Sequence, residues 1–303
     1  MRISTTTSLS NVSAAKDASA CLAALNRLFE AGFKYLDFNL PYELSMAPKR
    51  KEHFFLSDDW RAWCFTVRDY CEKHGACFVQ AHNMVHNYFA PDADSSGKNV
   101  LVDRSLEITA RLGGKISIMH PMAPPGKEYD TQACLAANRD FFRQKAELAA
   151  KWGLQIAIEN LFSTRLFNGD IIKRYCSNSA ELVELVEAID MENVGICVDT
   201  GHMHLSGEPH GEGIRRCGKR LIALHIHDND TFNDEHLMPY CGTIVWDECY
   251  AALRDIKYGN FFNLEVLHAC EKLPPDIQMG FLKQIYTLSE WMTKQIEEEA
   301  YAQ

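Results

Sequence analysis

Nine residues of the kinds that ligate divalent cations or move protons are spread along this 303-residue chain: His82, His120, Glu159, Asp199, His202, His225, Asp234, His236 and Glu265. Their placement is regular. Short β-rich runs end in turn at His82, His120, Glu159, Asp199, His225 and Glu265, while His202 follows Asp199 by three residues and Asp234 and His236 occupy the loop after the seventh run. Taken alone, a strand-end histidine such as His82 is more often a hydrogen-bonded core group than a ligand. Recurrence at six successive strand ends is different, because ionised carboxylates gathered in a buried place need partners, and a divalent cation supplies one.

Such residues meet only if the elements before them converge. Eight β-rich runs alternate with longer stretches of helical periodicity: RISTTT, KYLDFN, CFVQAH, KISIMH, QIAIEN, VGICVD, LIALHIH and FFNLEV. Several are nearly continuous apolar runs, as strands covered on both faces should be. Between them, Ser57 with Asp58 and Asp59 reads as a helix start before the stripe Trp60, Cys64, Val67 and Cys71, and Gly75 as its stop. Leu135, Phe142, Ala146 and Ala149 before Gly153 repeat the pattern, as do Leu182, Leu185, Val186 and Ile189 after the cap candidate Ser179. Eight such rounds, with neither a G-x-G-x-x-G nor a G-x-x-x-x-G-K-[ST] loop, predict a (β/α)8 TIM barrel rather than an open sheet. We read residues 1–303 as one barrel domain with a C-terminal helical extension carrying Phe281, Ile285, Leu288 and Met292. In that fold the strands' C-terminal ends carry the chemistry, which is where the nine residues fall.

Composition narrows the function. With 47% hydrophobic and 24% charged residues the chain is globular, and its net charge of −10 argues against a nucleic-acid partner. The basic clusters Lys49, Arg50, Lys51 and Arg215, Arg216 read as solvated faces. Eleven cysteines, scattered singly without a C-x-x-C pair, indicate neither a disulfide scaffold nor a zinc ribbon, and Cys241 and Cys270 read as small buried hydrophobes. The opening MRISTTTSLSNVSAAKD has no apolar segment, and no run reaches about 18 apolar residues, so a cytoplasmic protein without membrane association is expected.

The segments IAIEN, CVDTGH, LHIHD and NLEV resemble the xylose isomerase-like, or AP endonuclease family 2, barrel superfamily, and the likeness runs over essentially the whole chain. For its sugar isomerases and epimerases the resemblance implies one divalent metal, manganese or zinc, held by Glu159, Asp199, His225 and Glu265. For its endonuclease IV-like branch it implies up to three zinc ions, with His82, His120, His202, Asp234 and His236 as additional metal or substrate ligands. The acidic charge and the segment LMPYCGTIVWDE favour the sugar branch. Barrels of this superfamily often pair or form tetramers, and the sequence leaves open whether this chain is a monomer or a homo-oligomer.

The expected reaction is isomerisation or epimerisation of a sugar or sugar phosphate. The metal stabilises an enediolate, Glu159 and Glu265 act as the acid/base pair, and His202 bonds a substrate oxygen. The alternative is a trinuclear-zinc phosphodiesterase. Arg165, in the long loop after the fifth run, is a candidate for contact with a substrate phosphate, though an arginine so placed more often lies on exposed surface. His86, His204, His210 and His227 read as structural, and Trp60, Trp63, Phe89 and Phe232 as core aromatics more than as a sugar-binding wall.

Overall fold

The eight runs are the eight strands of one parallel sheet: β1 (Arg2–Thr6), β2 (Tyr35–Asn39), β3 (Cys77–His82), β4 (Ile116–Met119), β5 (Gln155–Glu159), β6 (Val194–Asp199), β7 (Leu221–His225) and β8 (Phe261–Leu264). A computed structural model describes residues 1–10, 18–40, 54–89, 98–123, 130–166, 168–267, 270 and 273–298; Lys49, Arg50 and Lys51 lie outside them. Hydrogen-bonded order is β8-β1-β2-β3-β4-β5-β6-β7. The remaining gap is bridged where Ile226 N donates to Asn263 O at 2.8 Å and Glu265 N to Ile226 O at 3.0 Å. The architecture is the expected TIM barrel.

Around the sheet stand α1 (Ala18–Ala31), α2 (Trp60–Lys73), α3 (Lys98–Arg111), α4 (Thr131–Ala150), α5 (Ser179–Ile189), α6 (Thr200–Leu205), α7 (His210–Cys217), α8 (Trp246–Asp255) and α9 (Pro275–Glu297). Their buried stripes match the periodicity, with Trp60, Cys64, Val67 and Cys71 on α2 and Leu182, Leu185, Val186 and Ile189 on α5 all buried. Two caps differ from expectation. Asp59 precedes α2 without a side-chain cap, and the Ser57 hydroxyl donates instead to Phe54 O at 2.6 Å. Asn178, not Ser179, caps α5, because its extended backbone lets Oδ1 accept from Glu181 N at 3.0 Å. Among the described residues no helix is long and apolar enough to cross a membrane. All eleven cysteines are free, and Cys241 is exposed rather than buried.

Inside the barrel, Ile116, Ile118, Ala157, Cys197 and Ala223 form a buried apolar layer. Strand side chains alternate between faces, so residues two further on point the same way. Ile118, Ala157, Cys197 and Ala223 therefore place His120, Glu159, Asp199 and His225 one step higher, above these apolar side chains. An irregularity in the β2–β3 register between Leu36 and Asp37 sets Asp37 opposite Gln80.

Candidate metal centre

Glu159 is the hub. Its Oε2 lies 3.3 Å from His82 Nε2 and 3.0 Å from His120 Nε2, and its Oε1 lies 2.8 Å from His225 Nδ1. Glu265 Oε2 approaches the same His225 nitrogen at 3.2 Å. One ligand atom from each of Glu159, Asp199, His225 and Glu265 falls within 4.8 Å of the others, and all four residues are buried. The same spacing holds for His82, His120 and Glu159, and for His202, His227, Asp234 and His236. All nine residues singled out above thus belong to one connected set of groups, with His227 added to it.

Local structure sets these orientations. Asp199 ends β6 and caps α6, its Oδ1 accepting from His202 N at 2.7 Å, which turns His202 toward the barrel axis on the first helical turn. Gly201 between them is required because a Cβ there would lie 1.9 Å from His227 Cε1. In the loop after β7, Asp228 accepts from Tyr240 N at 3.0 Å, Ile244 N at 3.1 Å and Trp246 Nε1 at 3.2 Å. That carboxylate folds the loop back and brings Asp234 and His236 over the site.

The imidazoles share a pattern. Nδ1–H donates to a backbone carbonyl in His82 (Asn83 O, 2.9 Å), His202 (Asn160 O, 2.8 Å), His227 (Asp228 O, 3.4 Å) and His236 (Glu265 O, 2.9 Å). Their Nε2 atoms then face carboxylates: Glu159 for His82, Asp234 for His202 and His236, and Asp199 for His227 at 3.0 Å. Outer bonds of this kind fix the tautomer a metal-binding histidine needs.

Electrostatics agree. Among the described residues no lysine or arginine pairs with Glu159, Asp199, Asp234 or Glu265; the nitrogens beside them belong to imidazoles. Burial alone would raise these carboxyls, yet His225 and His120 hold Glu159 well below the usual carboxylate range, and His202 and His227 lower Asp199. Burial pulls His225 down, but Cys197, Glu159 and Glu265 outweigh it and raise it well above an ordinary imidazole. His236, desolvated but bonded to Asp234 and near Glu265, is raised to about 9. His120 is lowered, burial prevailing over Glu159. A field that pulls protons onto buried imidazoles favours a divalent cation in their place. Asp234 Oδ1, buried and without a hydrogen-bond partner among the described residues, is a further open acceptor. The residues therefore fit a divalent metal.

Above this floor opens a cavity of about 400 Å³, lined in part by His82, His120, Glu159, His202, Asp234 and Glu265. Phe162 forms one wall, its ring 4.8 Å from that of His202, and the Arg174 guanidinium lies over the Phe162 ring at 4.3 Å. Neither was evident from spacing. Arg165 sits instead in an exposed hairpin strand and does not line the cavity. Trp60 and Trp63 are buried on α2, and Phe232 is exposed. His86, His204 and His210 bond Asn99, Thr243 and the Thr200 carbonyl.

The sequence matches the xylose isomerase-like TIM barrel family over residues 25–285, and the chain belongs to that family. It is similar to an uncharacterized protein of Methanocaldococcus jannaschii, 28% identical over 165 residues, covering 53% of this chain and 54% of that one. It is also similar to the inosose isomerase of Bacillus subtilis, 22% identical over 188 residues, covering 59% of this chain and 64% of the relative. The chain thus spans between about half and two thirds of these relatives' length. A D-psicose 3-epimerase solved in the presence of D-fructose shares the fold, with a TM-score of 0.70 at 18% identity over 96% of this chain and 99% of that one. So does the IolI protein with a bound zinc atom, with a TM-score of 0.71 at 17% identity over 100% of both chains.

Proposed function

We propose that the protein is a divalent-metal-dependent isomerase or epimerase of a keto sugar or sugar phosphate, with Glu159 and Glu265 transferring the proton. The observation that carries this reading is two buried glutamates from different sides of the barrel, 2.8 Å and 3.2 Å from the same His225 nitrogen, on the floor of one small-molecule-sized cavity. Inosose isomerase and D-psicose 3-epimerase, similar in sequence or fold, support the reaction class.

A proton on a carbon beside a carbonyl is too weakly acidic for a side chain alone to remove. Glu159, Asp199, His225 and Glu265 would hold the cation, and when bound it polarises the carbonyl and offsets the developing charge. One glutamate takes the proton and the other, on the opposite side, returns it. His202 Nε2, facing the cavity beside Asp234, bonds a substrate oxygen. Phe162 offers an apolar face to the carbon skeleton, and Arg174 reaches any anionic end. Purified protein supplied with manganese should interconvert a ketose or its phosphate in a panel, and Glu159→Gln should not.

A second reading, a three-zinc phosphodiesterase, is favoured by one observation: several overlapping ligand groups, not one, meet metal-binding spacing. Against it, Arg174 is the one arginine or lysine lining the cavity among the described residues. Arg215 and Arg216 sit on α7, paired with Asp255 and Glu208. Elemental analysis separates the readings, since the sugar enzyme needs one ion per chain and the phosphodiesterase three zinc ions with nicking of an abasic oligonucleotide.

A further inference from the structure

His225 is reversed relative to the other imidazoles of the centre. Its Nδ1 faces Glu159 and Glu265, while its Nε2 lies 3.2 Å from Asp37 Oδ2, a side-chain carboxylate in place of a backbone carbonyl. Asp37 is buried in the middle of the barrel, a layer below the cavity, and does not line it. The same Oδ2 accepts from Gln80 Nε2 at 3.0 Å and Asn263 Nδ2 at 2.9 Å, and Asn263 Oδ1 accepts from Ser4 Oγ at 2.8 Å. Four strands, β1, β2, β3 and β8, contribute to this network, and the register irregularity beside Asp37 brings it opposite Gln80.

The chemistry of the network has one solution. Both amide nitrogens can only donate, so Oδ2 is an acceptor and His225 Nε2 must carry the hydrogen. Nδ1 is then the nitrogen that can release its proton and turn a lone pair toward a cation held by the carboxylates above. We propose that Asp37 is the positioning residue for the metal centre: it selects the Nδ1-ligating tautomer of His225 and, through its charge, strengthens that nitrogen as a donor. A backbone carbonyl could orient the ring but would not add a negative charge. The inference rests on the metal-dependent reading above and deepens it.

The test uses the full chain and binding rather than turnover. Zinc and manganese affinities of the wild type and Asp37→Asn are compared by chelator competition, together with the circular dichroism of both metal-free proteins and the nitrogen bound to zinc in a crystal structure of the loaded wild type. Expected are zinc on His225 Nδ1, a slowly exchanging Nε2–H signal by NMR that Asp37→Asn loses, and about 10–100-fold weaker metal binding by a variant that remains folded. Unchanged affinity in folded Asp37→Asn, or zinc on His225 Nε2, overturns the proposal while leaving the metal-dependent reading in place. If Asp37→Asn does not fold, the nitrogen ligated in the wild type decides. A wild type that binds neither metal overturns both together.

Discussion

At the scale of the residue, Glu159 has no isosteric replacement that keeps its contacts. Glutamine would turn an NH2 toward His82 and His120 or toward His225, where a carboxylate oxygen now accepts from each. Glu159→Gln should lower turnover by about 10²–10⁴-fold and reduce bound metal, with an unchanged far-ultraviolet circular dichroism spectrum; activity within a few-fold of wild type would remove Glu159 from the chemistry. Arg174 is different, exposed at the rim and, among the described residues, held over the Phe162 ring. Arg174→Ala should raise KM for a phosphorylated sugar and leave kcat unchanged, because a contact made equally to ground and transition states affects binding alone. The nine candidate residues were legible because their types are costly to bury without purpose. His227 was not, since its direction depends on whether β7 keeps its alternation past His225, and the Ile226–Leu264 bridge shows that it does. Asp37 was missed because it lies inside a strand instead of at its end, and Arg174 and Phe162 because loop contacts leave no spacing signal.

At the scale of the element, strands could be read directly and the loops above them could not. Buried parallel strands announce themselves as apolar runs, and alternation then fixes which side chains share the interior face. Loop geometry depends on individual contacts such as the Asp228 carboxylate, which accepts from three separate points of the loop after β7. Cap positions failed for a related reason: Ser57 and Ser179 found other partners, Phe54 O and Glu208, so their hydroxyls were not free to cap. The turn from β6 into α6 offers a sharp test. A Cβ at Gly201 would fall 1.9 Å from the His227 ring, which is itself fully buried and has nowhere to retreat. Gly201→Ala should destabilise the protein by about 1–3 kcal/mol in urea unfolding and displace His227 from Asp199. A variant as stable as wild type, with the His227 ring unmoved, would show that the turn is more pliant than its packing indicates.

At the scale of the whole molecule, the buried charges link stability to both pH and metal. Without metal, His236 titrates at about 9 against an ordinary 6.5, so its contribution is complete below about pH 6.5 and is lost as pH rises through 9. The carboxyls of Glu159, Asp199 and Glu265 are lowered, so theirs is present above the usual carboxyl range and is lost as pH falls through the depressed values. The metal-free protein should therefore be most stable in mildly acid solution and weaken toward pH 9. Metal binding reverses the upper limb, because an imidazole ligand must give up its proton to bind, and each proton released makes apparent affinity rise about tenfold per pH unit. At a fixed metal concentration near 100 times Kd the loaded form gains about 2.7 kcal/mol, and the gain should grow with pH. Unfolding midpoints with chelator and with manganese or zinc, measured at pH 6, 7.5 and 9, should diverge as pH rises. Parallel curves would mean that no proton leaves these histidines when metal binds, and the buried imidazoles would then serve the fold and not a cation.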